Sequence, residues 1–169
     1  GYMSQEGQEV LASKDIAGFL VKPVDLEELA DMVRRVLFPQ SLDRRRRILA
    51  VDDQEDMLLF IGMQLRQAGF EVETALSGAE ALAKAGSYKP DLVLLDIVMP
   101  QMDGFAVCQR LRSRPETADV PVVMLAAKTS AEHVRRAVAL KVNGYLVKPF
   151  DPEVLVTRIR RVLEGAGKG

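Results

Sequence analysis

The sequence predicts an α/β protein built on a doubly wound parallel sheet. Two observations carry that prediction. Short apolar strands alternate with amphipathic helices through five βα units between residues 47 and 165, and several strands run straight into charged residues. Alternation of this kind implies parallel pairing with right-handed crossovers. Strands covered by helices on both faces then read as unbroken apolar runs.

The elements follow in order. Ile48-Leu49-Ala50-Val51 is a first strand, closed by Asp52-Asp53. Met57-Leu58, Ile61 and Leu65 recur at helical spacing, and Gly69 ends that helix. Phe70 to Ala75 alternates as a second strand, and Ala79-Leu82-Ala83 marks a small helix closed by Gly86 and Pro90. Leu92-Val93-Leu94-Leu95 has no polar alternation, as expected of a strand buried on both faces, and it runs into Asp96. Phe105 to Leu111 is helical, with Cys108 at a packing position. Val120 to Leu125 is a fourth strand with Pro121 near its start, and Glu132 to Leu140 a fourth helix. Tyr145 to Val147 forms a fifth strand, followed by Lys148-Pro149. Pro152 to Leu163 is a fifth helix with proline in its first turn.

The strand ends hold the chemistry. In an open parallel sheet, ligands bind outside the carboxyl ends of the strands, so Asp52, Asp53, Asp96 and Lys148 should converge there. Carboxylates packed together repel one another and call for a divalent cation. A site of oxygen ligands with few protein contributors suits Mg²⁺. The lysine adds a point charge for a phosphoryl group. The constellation reads as a phosphoacceptor.

Composition narrows the class less sharply. The 169 residues are 48% hydrophobic and 28% charged with a net charge of −1, which suits a globular domain and argues against a nucleic-acid-binding body. Arg44-Arg45-Arg46-Arg47 then reads as a solvated boundary. Gly165-Ala166-Gly167-Lys168-Gly169 lacks the preceding strand and following hydroxyl of a phosphate loop. A single cysteine excludes an internal disulfide, and no apolar run reaches membrane-spanning length. The expected location is cytoplasmic, with no direct nucleic-acid or membrane partner.

From Arg47 to Glu164 the chain resembles the receiver domain of two-component response regulators. The resemblance rests on four segments in the right order: Val51-Asp52-Asp53, Leu94 to Gly104 around Asp96, Pro121 to Leu125, and Tyr145 to Phe150 around Lys148-Pro149. It implies a flavodoxin-like strand order 2-1-3-4-5 and an acyl phosphate formed on Asp96. It further implies Mg²⁺ held directly by Asp53 and Asp96, through water by Asp52, and by the backbone carbonyl of Val98. Lys148 would contact a phosphoryl oxygen, aimed inward by a cis peptide before Pro149, and Pro100 and Gly104 would shape the loop after Asp96. The implied partners are a histidine kinase or phosphotransfer protein and a downstream output domain or protein. The state would be transmitted through the face formed by the fourth helix, fifth strand and fifth helix. Such a protein accepts a phosphoryl group without being a turnover enzyme.

One position departs from the family pattern. Receivers carry Thr or Ser at the end of the fourth strand, and here Ala126 stands in that place. A hydrogen bond to a charged group is worth about 1.5–3 kcal/mol, comparable to a typical allosteric coupling of roughly 1–3 kcal/mol. Phosphorylation can therefore persist while switching weakens, and Tyr145, at the aromatic switch position, would be loosely coupled to the site. Thr129 and Ser130 fit helix capping better than replacement of the missing hydroxyl. The alternative reading is accordingly a receiver-like interaction or dimerisation module with weakened switching. A haloacid-dehalogenase-type phosphatase fits poorly, because it wants a second Asp where Val98 stands.

Residues 1–40 repeat the end of the chain. Gly18-Phe19-Leu20-Val21-Lys22-Pro23 echoes Gly144-Tyr145-Leu146-Val147-Lys148-Pro149 at an offset of 126, and 12 of 20 positions match in that register. The expected organisation is a helix-strand-helix fragment over 1–40, resembling the last third of a second receiver in tandem, a linker over 41–46, and a complete receiver over 47–165. Lys22 has no acids of its own and reads as a relic of duplication. The fragment carries an apolar face, Phe19-Leu20-Val21 with Leu26, Leu29, Val33, Val36 and Leu37. Each fully buried aliphatic side chain is worth about 1.5–3 kcal/mol, and so short a fragment rarely builds its own core. The fragment can dock on the receiver of its own chain, exchange for residues 144–163 between chains, or pair with its like about a two-fold axis, and two-fold pairing is the expected solution. Deleting residues 1–41 should leave a monomer that still accepts phosphoryl groups, while the intact chain runs as a dimer in light scattering. A monomeric intact chain rejects the dimer.

Overall fold

The fold is described from a computed structural model covering residues 44–128 and 130–166. The chain divides into the units Gly1–Arg44 and Arg45–Gly169. The expected fragment over 1–40 lies outside the described residues, as does Thr129.

Five βα units follow one another: β1 (Arg47–Val51), α1 (Glu55–Gln67), β2 (Glu71–Ala75), α2 (Gly78–Tyr88), β3 (Leu92–Asp96), α3 (Gly104–Arg112), β4 (Val122–Ala126), α4 (Ala131–Ala139), β5 (Gly144–Val147) and α5 (Pro152–Ala166). All strands are parallel, in the order β2-β1-β3-β4-β5. This is the doubly wound, flavodoxin-like arrangement. The unbroken runs of β3 and β4 are buried along their whole length, because helices cover both faces. On one face Leu58, Ile61 and Leu65 of α1 and Leu155, Ile159 and Leu163 of α5 pack against Ile48, Leu94 and Leu125. On the other, Leu82 of α2 and Phe105, Cys108 and Leu111 of α3 pack against Leu49, Leu95 and Met124. Cys108 is thus a buried packing residue.

Capping sets three helix starts. The side chains of Ser77, Asp103 and Ser130 accept from the backbone N–H groups of Glu80, Ala106 and His133. The limits of α2 and β4 differ from the sequence expectation, and α5 runs past Leu163 to Ala166. Gly86 does not close α2, which runs on to Tyr88 and ends at Lys89 in the left-handed region (φ 51°). One glycine weakens a helix interior by only about 1 kcal/mol, and buried Ala81, Leu82 and Ala85 hold this one down. Val120 and Pro121 precede β4, which extends instead to Ala126. Among the described residues no helix is long and apolar enough to cross a membrane.

One side chain gathers several loop carbonyls at the edge of the sheet where β4 begins. The Arg112 guanidinium at the end of α3 donates to the carbonyls of Ala118 and Val120 before β4, and to those of Leu140 and Lys141 after α4. Four carbonyls otherwise lacking helix or sheet partners converge on one planar fork of donors. Arg112→Ala should lower stability by about 1.5–3 kcal/mol, the worth of a hydrogen bond to a charged group. Arg112→Lys should restore only part of it. Equal stability of the alanine variant in urea unfolding would show that water replaces the fork.

Candidate functional site

Parallel register brings the ends of the strands level. Val51 pairs with Leu95, Asp96 with Leu125, and Ala126 with Val147. The residues that follow β1 and β5 therefore emerge beside the end of β3. Asp52 is fully buried and Asp96 is 5% exposed, whereas Asp53 lies in solvent. The three carboxylates each place an oxygen within 4.8 Å of the others. Lys148 stands among them, its Nζ 2.7 Å from Asp52 Oδ2 and 3.2 Å from Asp96 Oδ1. Asp52 Oδ1 accepts from the Gln54 backbone N–H at 3.0 Å. The Lys148 backbone N–H donates to the Ala126 carbonyl, and the peptide joining Lys148 to Pro149 is cis. The four charged residues singled out in the sequence thus share one site.

The electrostatics favour a cation. Burial pushes the Asp96 carboxyl above the ordinary aspartate range; Lys148 pulls it down, and the charges of Asp52 and Asp53 push it up again. Burial opposes the charge on Lys148, but its bonds to Asp52 and Asp96 together prevail and hold its pKa above the usual value. One ammonium against three carboxylates leaves two negative charges uncompensated. Like charges about 4 Å apart repel by roughly 4 kcal/mol at the effective dielectric of a protein surface. An all-oxygen cluster with that deficit and one open, solvent-facing member fits a hard divalent ion. Both Asp52 oxygens are already engaged, which suits it to an indirect role.

The loop after Asp96 is held closely. The Gly104 N–H donates to the Ile97 carbonyl at 2.8 Å, and Met102 N–H to the Pro100 carbonyl at 2.7 Å. A Cβ on Gly104 would overlap the Asp96 carbonyl oxygen, so only glycine lets α3 begin there. Val98 lies in this loop with its side chain 68% exposed. Ala126 is buried at the end of β4 and presents a methyl group where a hydroxyl was looked for. Tyr145 is half-buried against the α3 side of the core, and its buried hydroxyl has no hydrogen-bond partner among the described residues.

Sequence reasoning missed a contact beside the site. Arg136 of α4 lies over the Phe105 ring, 4.2 Å from its centroid, and pairs with Asp103 at 3.5 Å. His133 packs against the same ring at 5.6 Å. Only the spacing of His133 and Arg136 on one helix face hinted at a shared neighbour.

Comparison with known proteins places this geometry in a family. The model of the response regulator receiver domain matches residues 48–160. The chain is 42% identical over 121 residues to the transcriptional regulatory protein PrrA of Mycobacterium leprae, covering 72% of this chain and 51% of that one. It is 39% identical over 117 residues to the DNA-binding dual master transcriptional regulator RpaA of Synechocystis, covering 69% and 48%. The chain therefore spans about half the length of these curated relatives. Among solved structures, the chemotaxis protein CheY4 of Vibrio cholerae superposes with a TM-score of 0.69 at 39% identity, covering 70% of this chain and 99% of that one. A CheY-like receiver domain protein from Methanospirillum hungatei superposes with a TM-score of 0.70 at 28% identity, covering 74% and 98%.

The raised Asp96 pKa gives a signed prediction. A carboxyl whose pKa rises on folding adds stability in acid, and that contribution disappears as pH climbs through the raised value. A divalent cation binds the charged form and so restores stability where the carboxylate is ionised. Mg²⁺ should raise Tm near neutral pH, and the increment should fade as acid protonates Asp96. Chelation should reverse it. A Tm indifferent to Mg²⁺ near neutral pH rules out a cation site.

Proposed function

The chain belongs to the response regulator receiver domain family, the phosphoacceptors of two-component signalling, and from that premise we propose that Asp96 is its nucleophile. The observation that supports this best is the placement of Asp96: a buried carboxylate at the end of the central strand, with Lys148 at 3.2 Å and two further acids beside it. An Asp96 oxygen attacks the phosphorus of a phosphohistidine on a kinase or phosphotransfer protein, or of a small acyl phosphate. A P–O bond to Asp96 forms as the donor's P–N or P–O bond breaks, and the bond's electron pair leaves with the donor. Phosphoryl transfer asks mainly for positioning and charge stabilisation.

Lys148 supplies one of those charges. Its ammonium already spans Asp52 and Asp96, which places a positive charge beside the oxygen that would carry the phosphoryl group. Asp53, Asp96 and the Val98 carbonyl would hold Mg²⁺ directly, and Asp52 through water. The ion supplies charge neutralisation at the acceptor. The protein acts as a stoichiometric acceptor rather than a turnover enzyme. Its output runs to a partner or further domain through the face of α4, β5 and α5, where Val134, Val138, Val147 and Val154 are exposed. A second reading, an interaction module with weakened switching, draws support from Ala126 alone.

Asp96→Asn should abolish labelling by acetyl phosphate, because the amide oxygen is a poor nucleophile and a metal ligand is lost. Asp53→Asn should remove the dependence on Mg²⁺. Undiminished labelling of Asp96→Asn, read by intact-mass spectrometry, overturns the assignment.

A hydroxyl restored at residue 126 should strengthen the response. Ala126→Thr should enlarge the amide shifts that beryllofluoride induces around Tyr145, by a coupling of roughly 1–3 kcal/mol. Unchanged shifts would mean that the state of Asp96 travels by another route.

A further inference from the structure

We propose that Arg136 is a positioning residue that carries the state of Asp96 into α4, in place of the hydroxyl that Ala126 lacks. The inference rests on Asp96 being the acceptor. Ala126 offers nothing for a phosphoryl group to pull on, and the Tyr145 hydroxyl has no partner among the described residues. The loop that follows Asp96 is differently built. Gly104, the first residue of α3, lies directly against the Asp96 carbonyl and donates to Ile97. The backbone of the acceptor therefore cannot shift without moving the start of α3.

Two side chains at that start touch α4, and both touch it at Arg136. Asp103 divides its carboxylate: Oδ1 caps α3 through the Ala106 N–H at 2.7 Å, and Oδ2 meets the Arg136 guanidinium at 3.5 Å. Phe105, 1% exposed, presents its ring face to the same guanidinium at 4.2 Å and to His133 at 5.6 Å. A planar cation holds a carboxylate at its edge and a ring at its face together with better geometry than a compact ammonium. The receiving helix is lightly held. Of the nine residues of α4 only Ala137 is fully buried, while Val134 and Val138 face solvent. Elements with few buried contacts are those that shift at small free-energy cost. The Arg136–Asp103 pair is itself half-exposed, so it can break and re-form without stranding a buried charge.

The test uses the full chain with Mg²⁺ and beryllofluoride, with binding read by ¹⁹F NMR and the response by amide shifts of residues 131–139. Arg136→Gln should bind beryllofluoride as the unaltered chain does, yet lose the α4 shifts by roughly 2- to 30-fold, the range for changes along a coupled route. Shifts at residues 53–55 should be unaffected. Arg136→Lys should recover part of the α4 response. Asp103→Asn, which keeps the cap, should lose it as Arg136→Gln does, and the double variant should lose no more than either. Full α4 shifts in Arg136→Gln, or losses that add in the double variant, overturn the proposal. Should Arg136→Gln unfold, Asp103→Asn alone decides by the same reading. Beryllofluoride that fails to bind the unaltered chain overturns the acceptor assignment, and the route with it.

Discussion

The ion pair between Lys148 and Asp52 is the constraint on which the carboxyl edge of the sheet depends. Asp52 is fully buried, and a carboxylate out of water is tolerable only when paired and hydrogen-bonded. Its two oxygens are met by the Lys148 ammonium and the Gln54 N–H. The pair spans the sheet: Asp52 follows β1, Lys148 follows β5, and β3 and β4 lie between them. Removing one member of such a pair costs about 3–5 kcal/mol, because the other is left charged and buried. The position of Asp96 follows, since it ends the strand beneath that span and shares the same ammonium.

How much of this was legible in the sequence depended on range. Unbroken apolar runs such as Leu92 to Leu95 announce buried parallel strands, and the acids and lysine that end them announce where ligands bind. Both signals are local: the buried strands are there, and the acids and lysine lie together at one edge of the sheet. The strand order was not readable from periodicity and came from resemblance alone. The errors are also local in cause. Gly86 looks like a terminator because glycine is a poor helix former, yet burial of Ala81, Leu82 and Ala85 outweighs that preference. The contacts of Arg112 and Arg136 were invisible for a different reason: each joins segments far apart in sequence, and surface arginines carry no mark of where they reach.

Ala126 and Gly104 both lie beside Asp96 and meet it in different ways. On the β4 side a methyl group leaves the end of the strand without a donor. On the α3 side glycine allows so close an approach that backbone is in contact with backbone. Hydrogen bonds act over a narrow range of distance and angle, whereas steric contact transmits any displacement that closes the gap. Asp96 therefore meets no side-chain donor at residue 126 and a tight backbone contact at the start of α3.

If Asp96 is the acceptor, the ammonium that serves it also limits how far the domain switches. On the proposed reading, a phosphoryl group on Asp96 brings new anionic oxygens that compete with Asp52 for Lys148. If Lys148 transfers fully, Asp52 keeps only the Gln54 N–H and remains buried with its charge poorly met. Part of the gain at the phosphoryl group is then spent on Asp52, and the net driving force is the difference. A divalent cation held by Asp53 and Asp96, and by Asp52 through water, would supply positive charge there and offset that cost as Lys148 turns away. On that reading the acids beside Asp96 are what lets its lysine move.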